Sequence, residues 1–254
     1  MKTSMNKKDN RIYRLVSVLV IFIIWEIVFF IVGNRNIFPS FIEVIISVFN
    51  TLKRQAFYIA FLNTSLSSLL AFILAFVSAV FVVYLTFLSE SLKVFFDTLF
   101  SILKSFPVAS ATIVFLIWAR SVHLPFFVAY FMTLPVLYEV MLKGSESVRA
   151  DIIDSAVVQG ISKTKIFFKV VMYNIPSSIK AGVASSLSIS FKSCIAAEII
   201  ALVRNTIGNA LYEGKIYFDI KEVFAITFII IIAVKVYEII ANFIINRIIK
   251  TKND

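Results

Sequence analysis

The chain has 254 residues, of which 60% are hydrophobic and 16% are charged, and its mean hydropathy is +0.94. A soluble domain has about 25% charged residues. One water-soluble core of this size cannot bury so much apolar surface, including 27 phenylalanines. An ordinary soluble protein is therefore excluded. The net charge of +10 does not indicate a nucleic-acid partner, because the positive residues lie between long apolar runs. The single cysteine, Cys194, has no second cysteine in the chain with which to form a disulfide, and His123 is not part of a metal-ligating cluster in the sequence.

Six stretches are apolar and long enough to cross a bilayer as helices. A spanning helix needs about 20 mostly apolar residues, and unpaired backbone cannot face lipid, so helices are favoured where no alternating strand pattern occurs. The predicted spans are Leu15–Val32, Ser65–Phe87, Thr98–Trp118, Leu124–Leu142, Ala181–Leu202 and Val223–Ile245. The sequence therefore predicts an all-α, polytopic membrane protein.

The first predicted span follows a basic tail, residues 1–14, as a signal peptide would. A signal peptide has a shorter apolar core and then a small-residue cleavage site. Here the apolar stretch runs into Val32-Gly33-Asn34 without an Ala-x-Ala site. We expect a retained anchor helix.

Lysine and arginine placement predicts the orientation of the chain. If the N-terminus lies inside, fifteen of these residues fall in inner segments and seven in outer segments. Positive residues accumulate on the cytoplasmic side of membrane proteins. We therefore expect a multi-pass protein of the cell membrane with both termini in the cytoplasm, including the tail 247–254.

Between the first two spans, Pro39 and Ser40 are a start signal for an amphipathic helix from about Phe41 to Lys53. No internal repeat or low-complexity linker interrupts the chain. A single permease domain over residues 1–254 is the simplest prediction.

The segment 144–176 is long, charged and on the side predicted to be cytoplasmic. It is too patterned for a slack connector. Apolar and small residues recur at helical spacing and predict one stripe of a helix; they are Ile153, Ala156, Val157 and Gly160.

Two residues mark the bend between this helix and the next one. Gly160 can adopt the left-handed conformation that ends a helix, and Ser162 can cap the second helix. The second helix should stop before Pro176, because proline disfavours helical geometry at the residue before it. The pattern predicts a helix, a glycine elbow and a second short helix, a shape suited to a groove on a partner protein.

This segment resembles the EAA motif of ATP-binding-cassette importer permeases, Glu-Ala-Ala-x3-Gly-x9-Ile-x-Leu-Pro. Asp154-Ser155-Ala156 and Gly160 match its first half, with Asp154 in place of Glu and Ser155 in place of Ala. The second half departs further, with Val170, Met172 and Tyr173 in place of Ile, Leu and Pro. In the family this elbow is the coupling helix that docks on the ATPase. The resemblance implies the same role here, with Ile161, Ser162 and Lys163 as contact residues and Pro176 in part replacing the absent proline.

Other segments extend the resemblance over residues 12–248 and are similar to nitrate/sulfonate/taurine-type permeases. They are Trp25-Glu26, Phe38-Pro39-Ser40, Phe106-Pro107-Val108-Ala109, Trp118, Phe191-Lys192, Ala197-Glu198 and Val223-Phe224-Ala225. The resemblance implies the type I importer fold, a second permease copy forming a homodimer, an ATPase subunit and an extracytoplasmic binding protein. Such permeases serve nitrate, sulfonates, bicarbonate or vitamin precursors, so the substrate stays open.

The chain lacks the Gly-x4-Gly-Lys-Ser/Thr loop that cradles nucleotide phosphates. We therefore expect no catalytic residue and no cofactor in this chain, with ATP and Mg²⁺ bound by the partner ATPase. A secondary transporter driven by an ion gradient is the alternative; it should show paired broken helices at the bilayer midplane. A membrane-embedded enzyme would need clustered catalytic side chains in the spans, which one histidine argues against.

Charged residues inside spans are expensive and usually face protein or water. Lys104, Lys192 and Glu198 are the candidates for lining a polar pathway, with snorkelling or internal pairing as the other explanation. Lys235 and Glu238, three residues apart in the sixth span, are expected to pair. Pro107 is expected to kink the third span, either to shape packing or as part of a gate.

Overall fold

The computed structural model describes residues 7–174 and 179–250, so Pro176 lies outside the described residues. Within these ranges the chain forms helices joined by short turns, without any β-strand, which confirms the all-α prediction. The helices are α1 (Lys7–Val32), α2 (Phe41–Leu52), α3 (Gln55–Leu88), α4 (Glu90–Lys104), α5 (Val108–Leu116), α6 (Leu124–Glu146), α7 (Ala150–Val158), α8 (Lys163–Ile166), a π-helical turn (Phe167–Val171), α9 (Met172–Asn174), α10 (Ile179–Ala201), α11 (Ile207–Ile216) and α12 (Ile220–Lys250).

Four helices among the described residues are long and apolar enough to cross a membrane singly: α3, α6, α10 and α12. They correspond to the second, fourth, fifth and sixth predicted spans. The first predicted span lies in α1, whose described apolar part, Val16–Val32, is shorter than the others, so its crossing of the membrane stays a prediction.

The third predicted span was wrong as one continuous helix. The chain forms α4 and α5 instead, and their axes differ by 95°. Pro107 stands at the break with φ −63° and ψ 136°, outside helical geometry. Proline has no N–H to donate and disfavours helical geometry at the preceding residue, so α4 ends before it and α5 starts after it. The expected kink is therefore a full break.

One compact unit comprises described residues up to 58 together with 210–230. Its α2 begins where Pro39 and Ser40 predicted, because Ser40 and Glu43 form a reciprocal capping box. Glu43 also pairs with Lys221 at 3.2 Å. Although partial burial opposes the shift, the bonds from the Ser40 amide and Lys221 lower the pKa of Glu43 below its ordinary value.

The second compact unit comprises described residues of 59–209 and 231–250. Its main core includes α3 residues spaced one helical turn apart, Ala75, Ala79 and Val83, which let α3 pack closely. The same core takes in side chains of α4, α6, α7 and α8, so the elbow segment is packed onto the helices that precede it. The prediction of a single domain stays a prediction.

Candidate functional site

The elbow is a helix ended by a glycine in the left-handed region. Gly160 has φ +73°. Its N–H donates to the Val157 carbonyl at 2.9 Å, and the Ile161 N–H donates to the Ala156 carbonyl at 3.1 Å. These two bonds form the Schellman motif, which satisfies the last carbonyls of α7. The predicted elbow at Gly160 is confirmed in its backbone geometry.

The second half of the elbow is helical but not one regular α-helix. Ser162 occupies the N-cap position of α8, although its side chain makes no capping bond in the structure as described. The helix continues through a π-helical turn that contains Phe167, Phe168 and Val171. The extra residue in such a turn bulges the helix, and this feature has no simple sequence signature.

Buried side chains anchor the elbow to the other helices of the second unit. Ala156, Ile166 and Phe167 are buried in its main core. The Phe167 ring lies 5.3 Å from that of Tyr84 and 5.5 Å from that of Phe87, both near the end of α3. The Tyr84 hydroxyl also lies 2.9 Å from Thr164 Oγ1. Any displacement of the elbow therefore acts on α3 directly.

The tip of the elbow carries apolar side chains that nothing in the chain covers among the described residues. Val158 is 87% exposed, Val157 is 53% exposed and Ile161 is 37% exposed. Of the predicted stripe, Ala156 alone is buried and Ile153 is partly buried, whereas Val157 and Gly160 face outward. The stripe is thus divided between core and surface, because only one side of α7 meets the bundle.

Polar residues of the motif surround this apolar tip. Asp154, Ser155, Ser162 and Lys163 are all exposed. Ser155 Oγ donates to the Asp151 carbonyl at 2.6 Å. An apolar tip with a polar rim has the composition of a protein-protein contact. Among these described residues no nucleophile lies beside a base, and the set consists of apolar side chains with polar neighbours.

Lys104, at the end of α4, faces a cavity of about 420 Å³. Its ammonium bonds Glu139 of α6, and Lys143 bonds the other oxygen of the same carboxylate at 2.5 Å. Asp97 and Tyr138 line the same cavity and bond each other at 2.7 Å. Lys104 is thus exposed to a polar cavity beside the break between α4 and α5.

Lys192 and Glu198 lie in very different surroundings on α10. Lys192 is exposed, whereas Glu198 is 1% exposed. The Glu198 carboxylate accepts bonds from Thr64 Oγ1 at 2.9 Å and from the Gly208 N–H at 3.0 Å. Glu198 thus holds the turn between α10 and α11, and its lining of a pathway stays a prediction, as does that of Lys192 and Lys104. The expected pairing of Lys235 with Glu238 is confirmed at 2.8 Å.

The cavity beside the break does not follow from any one segment of the sequence. Asp97, Tyr138 and Glu139 were not singled out, because they come from two helices and each is unremarkable in its own segment. Two signals point to this place in hindsight: Lys104 inside an apolar stretch, and Glu139 spaced four residues before Lys143, which allows an i, i+4 pair.

Several residues that carry the resemblance meet in the first unit. The Trp25 ring lies 5.0 Å from Phe38 and 5.3 Å from Phe224. Trp25 Nε1 donates to the Pro39 carbonyl at 3.1 Å, and Glu26 accepts the Phe41 N–H at 3.0 Å. These residues share a packing role, since they fix the turn between α1 and α2.

No curated protein matches the chain significantly. The family model described as "Binding-protein-dependent transport system inner membrane component" matches residues 71–250. The matched range is well over half of the chain and contains the elbow, the break between α4 and α5, and the Glu198 turn. The chain therefore belongs to the family of inner membrane components of binding-protein-dependent transport systems.

Proposed function

We propose that this permease component belongs to an ATP-driven importer and that the elbow is the surface on which a separate ATPase subunit docks. The observation that carries the proposal is the apolar tip of Val157, Val158 and Ile161, which is exposed while the adjoining Ala156 and Phe167 are buried in the core. Apolar side chains held on a rigid base fit a groove on a partner. Family membership supports the role of a membrane component, and the exposed apolar tip supports the docking of an ATPase subunit on the elbow.

In the proposed mechanism the partner ATPase binds ATP and Mg²⁺ and moves the elbow when it closes. The elbow transmits this motion through Phe167, which packs against Tyr84 and Phe87 of α3. A packed aromatic contact resists compression, so displacement of the elbow tilts α3 instead of being absorbed locally. Alternating exposure of the pathway to the two sides of the membrane would follow.

The proposal includes a multi-pass location in the cell membrane with both termini in the cytoplasm, since the excess of Lys and Arg supports that orientation. It also includes a second copy of the chain as a homodimer and an extracytoplasmic binding protein that delivers the solute. The shared segments around Trp25, Phe106 and Ala197 support the nitrate/sulfonate/taurine-type subgroup.

An ion-gradient-driven secondary transporter is the alternative, because α4 and α5 form one broken helix beside charged residues. Such transporters have broken helices in corresponding positions of two repeats. A single bent pair is found among the residues that the structure describes. Transport by purified chain without an ATPase would favour the alternative.

The Gly160→Val substitution tests the proposal. A side chain at φ +73° costs about 1–2 kcal/mol in the left-handed region, so the Schellman motif should rearrange and reorient Val158. With the chain reconstituted together with its co-expressed ATPase, we expect about tenfold less permease-dependent stimulation of ATP hydrolysis, the factor that corresponds to about 1.4 kcal/mol. Insertion into the membrane should be retained.

Gly33→Val is the matched control. Gly33 also has a positive φ, +62°, and an added Cβ at either glycine would meet nothing within 4 Å. The two substitutions therefore impose similar backbone strain at different places. Equal stimulation of the ATPase by the Gly160→Val and unsubstituted chains would refute the role of the elbow, and equal loss in both glycine variants would show a general effect of strain.

A further inference from the structure

The helix α4 carries three distinct faces. One face is packed on the core through Phe96, Phe100 and Leu103. A second face is apolar and open, with Phe95 58% and Ile102 56% exposed. The third is a polar stripe at helical spacing that faces the cavity beside the break, and it consists of Asp97, Ser101, Lys104 and Ser105. The polar stripe is not expected to face lipid, since charged and hydroxyl groups in hydrocarbon are costly.

The cavity lies beside the middle and the C-terminal part of α6, the helix that faces α4. Its lining on α6 extends from Pro135 to Leu142, and Pro135 is the twelfth residue from either end of the 23-residue helix Leu124–Glu146. If α6 crosses the bilayer, the cavity reaches from its middle toward its C-terminal end. The cavity is partly open to its surroundings, and its volume of about 420 Å³ lies within the roughly 300–1,000 Å³ of small-ligand pockets. A polar cavity at this depth is expected to hold water or a solute.

One of the two carboxylates that line the cavity, Asp97, forms no ion pair among the described residues, although Lys93 lies within range of its charge. Glu139 is held by both Lys104 and Lys143. Asp97 accepts a bond from the Tyr138 hydroxyl, and no Lys or Arg forms an ion pair with it within 7–174 and 179–250. Lys93, one turn before it on α4, is engaged by Glu146 at 2.7 Å. The C-terminal end of α4 adds the negative end of a helix dipole.

We propose that this cavity is a solute-binding chamber on the transport path within each copy of the chain, and that it takes small solutes bearing a positively charged nitrogen. The inference rests on the proposed function for the claim that the solute is transported. Asp97 would pair with the cationic nitrogen, and Ser101 and Ser105 would bond its polar groups. Among the solutes that the subgroup allows, this chamber disfavours simple anions such as nitrate and bicarbonate.

Thiol labelling in native membranes tests the chamber and its charge. The starting variant is Cys194→Ser, which removes the single cysteine and retains a donor in its place. Ser101→Cys then puts a thiol on the polar stripe, and Ile102→Cys puts one on the adjacent apolar face. Each variant is treated with cationic trimethylammonioethyl or anionic sulfonatoethyl methanethiosulfonate, and the ratio of the two reaction rates is measured. This ratio is divided by the ratio of the same two rates for 2-mercaptoethanol in solution, which corrects for the intrinsic reactivity of the reagents.

We expect Ser101→Cys to react from water and to prefer the cationic reagent, whereas Ile102→Cys stays unreactive. Adding Asp97→Asn should lower the preference about sevenfold, the effect of one charge at about 7 Å in water on two reagents of opposite sign. Asp97→Glu should restore it. Labelling of each denatured chain with a maleimide measures how much of it the membranes contain, so that rates are compared only among variants that reach the membrane.

An unreactive Ser101→Cys, or equal reaction of Ile102→Cys, would overturn the chamber. A preference for the anionic reagent, or one unchanged in both Asp97 variants, would overturn the cationic class of solute. Neither result depends on an ATPase, since membranes that contain the chain without one serve equally well. Failure of the proposed function would instead appear as failure to stimulate a co-expressed ATPase.

Discussion

The Glu198→Ala substitution is expected to destabilise the folded chain by about 2–6 kcal/mol, because it leaves two buried donors without an acceptor, at about 1–3 kcal/mol each. The donors are Thr64 Oγ1 and the Gly208 N–H, both bonded to the same carboxylate oxygen. A loss of this size is a large part of a typical stability of about 5–15 kcal/mol. The free energy of unfolding, measured by titration in mixed micelles, checks it.

Close packing leaves no room for rearrangement around this carboxylate. A Cβ added to Gly208 would collide with the Glu198 Cβ and lie 2.8 Å from the Ile195 carbonyl. The Ile207 N–H in turn donates to Thr64 Oγ1 at 3.1 Å, so loss of Glu198 also loosens the start of α11. Glu198→Gln should lose less than Glu198→Ala, since its amide oxygen can take the place of Oε2 and accept both bonds.

Glu90→Ala is the control, because Glu90 is an exposed acid in the first turn of α4. We expect its unfolding free energy to stay within about 0.5 kcal/mol of the unsubstituted chain. If Glu198→Ala were as stable as Glu90→Ala, the buried carboxylate would not hold the turn, and a role in the pathway would gain support.

The second large effect is expected at the tip of the elbow. Val158→Asp should weaken the complex with the ATPase by about 2–4 kcal/mol, or about 30-fold to 1,000-fold in dissociation constant, because docking would bury a carboxylate without a partner. Val158 is 87% exposed, so the substitution leaves the core of the permease untouched. The dissociation constant is measured with purified permease in nanodiscs and the ATPase subunit.

Val122→Asp makes the same chemical change at another exposed valine, in the turn before α6, where 69% of the side chain is accessible. We expect this variant to bind the ATPase as well as the unsubstituted chain. Undiminished binding by Val158→Asp would rule out the tip as a contact, even if the ATPase bound elsewhere.

Features coded by neighbouring residues were predictable from the sequence. The start of α2 follows from Ser40 and Glu43, which are three residues apart and form a capping box. The end of α7 follows from Gly160, because glycine readily adopts the left-handed conformation that ends a helix. Four spans were predictable because about 20 apolar residues suffice to specify a crossing helix. The prediction failed at the third span, where hydropathy is continuous but Pro107 breaks the helix.

Features that depend on distant partners were not predictable. Glu198 is a candidate for the pathway from sequence because a charge in a span suggests function, yet its acceptor role depends on Thr64, which lies 134 positions away. The cavity beside Lys104 needs Asp97 and Glu139 from different helices. The division of the elbow stripe between core and surface was not predictable either. Periodicity shows which residues share one side of a helix, but not which of them the core covers.

Site-specific cross-linking of the elbow tests whether an ATPase subunit docks on Val158. With Cys194→Ser as background, Val158→Cys carries the only thiol and is joined to the co-expressed ATPase subunit by a short bifunctional reagent in membranes. We expect a permease–ATPase product with Val158→Cys and none with Val122→Cys. Labelling of Val158→Cys from the outer face of intact cells, or a product with Val122→Cys alone, would contradict it.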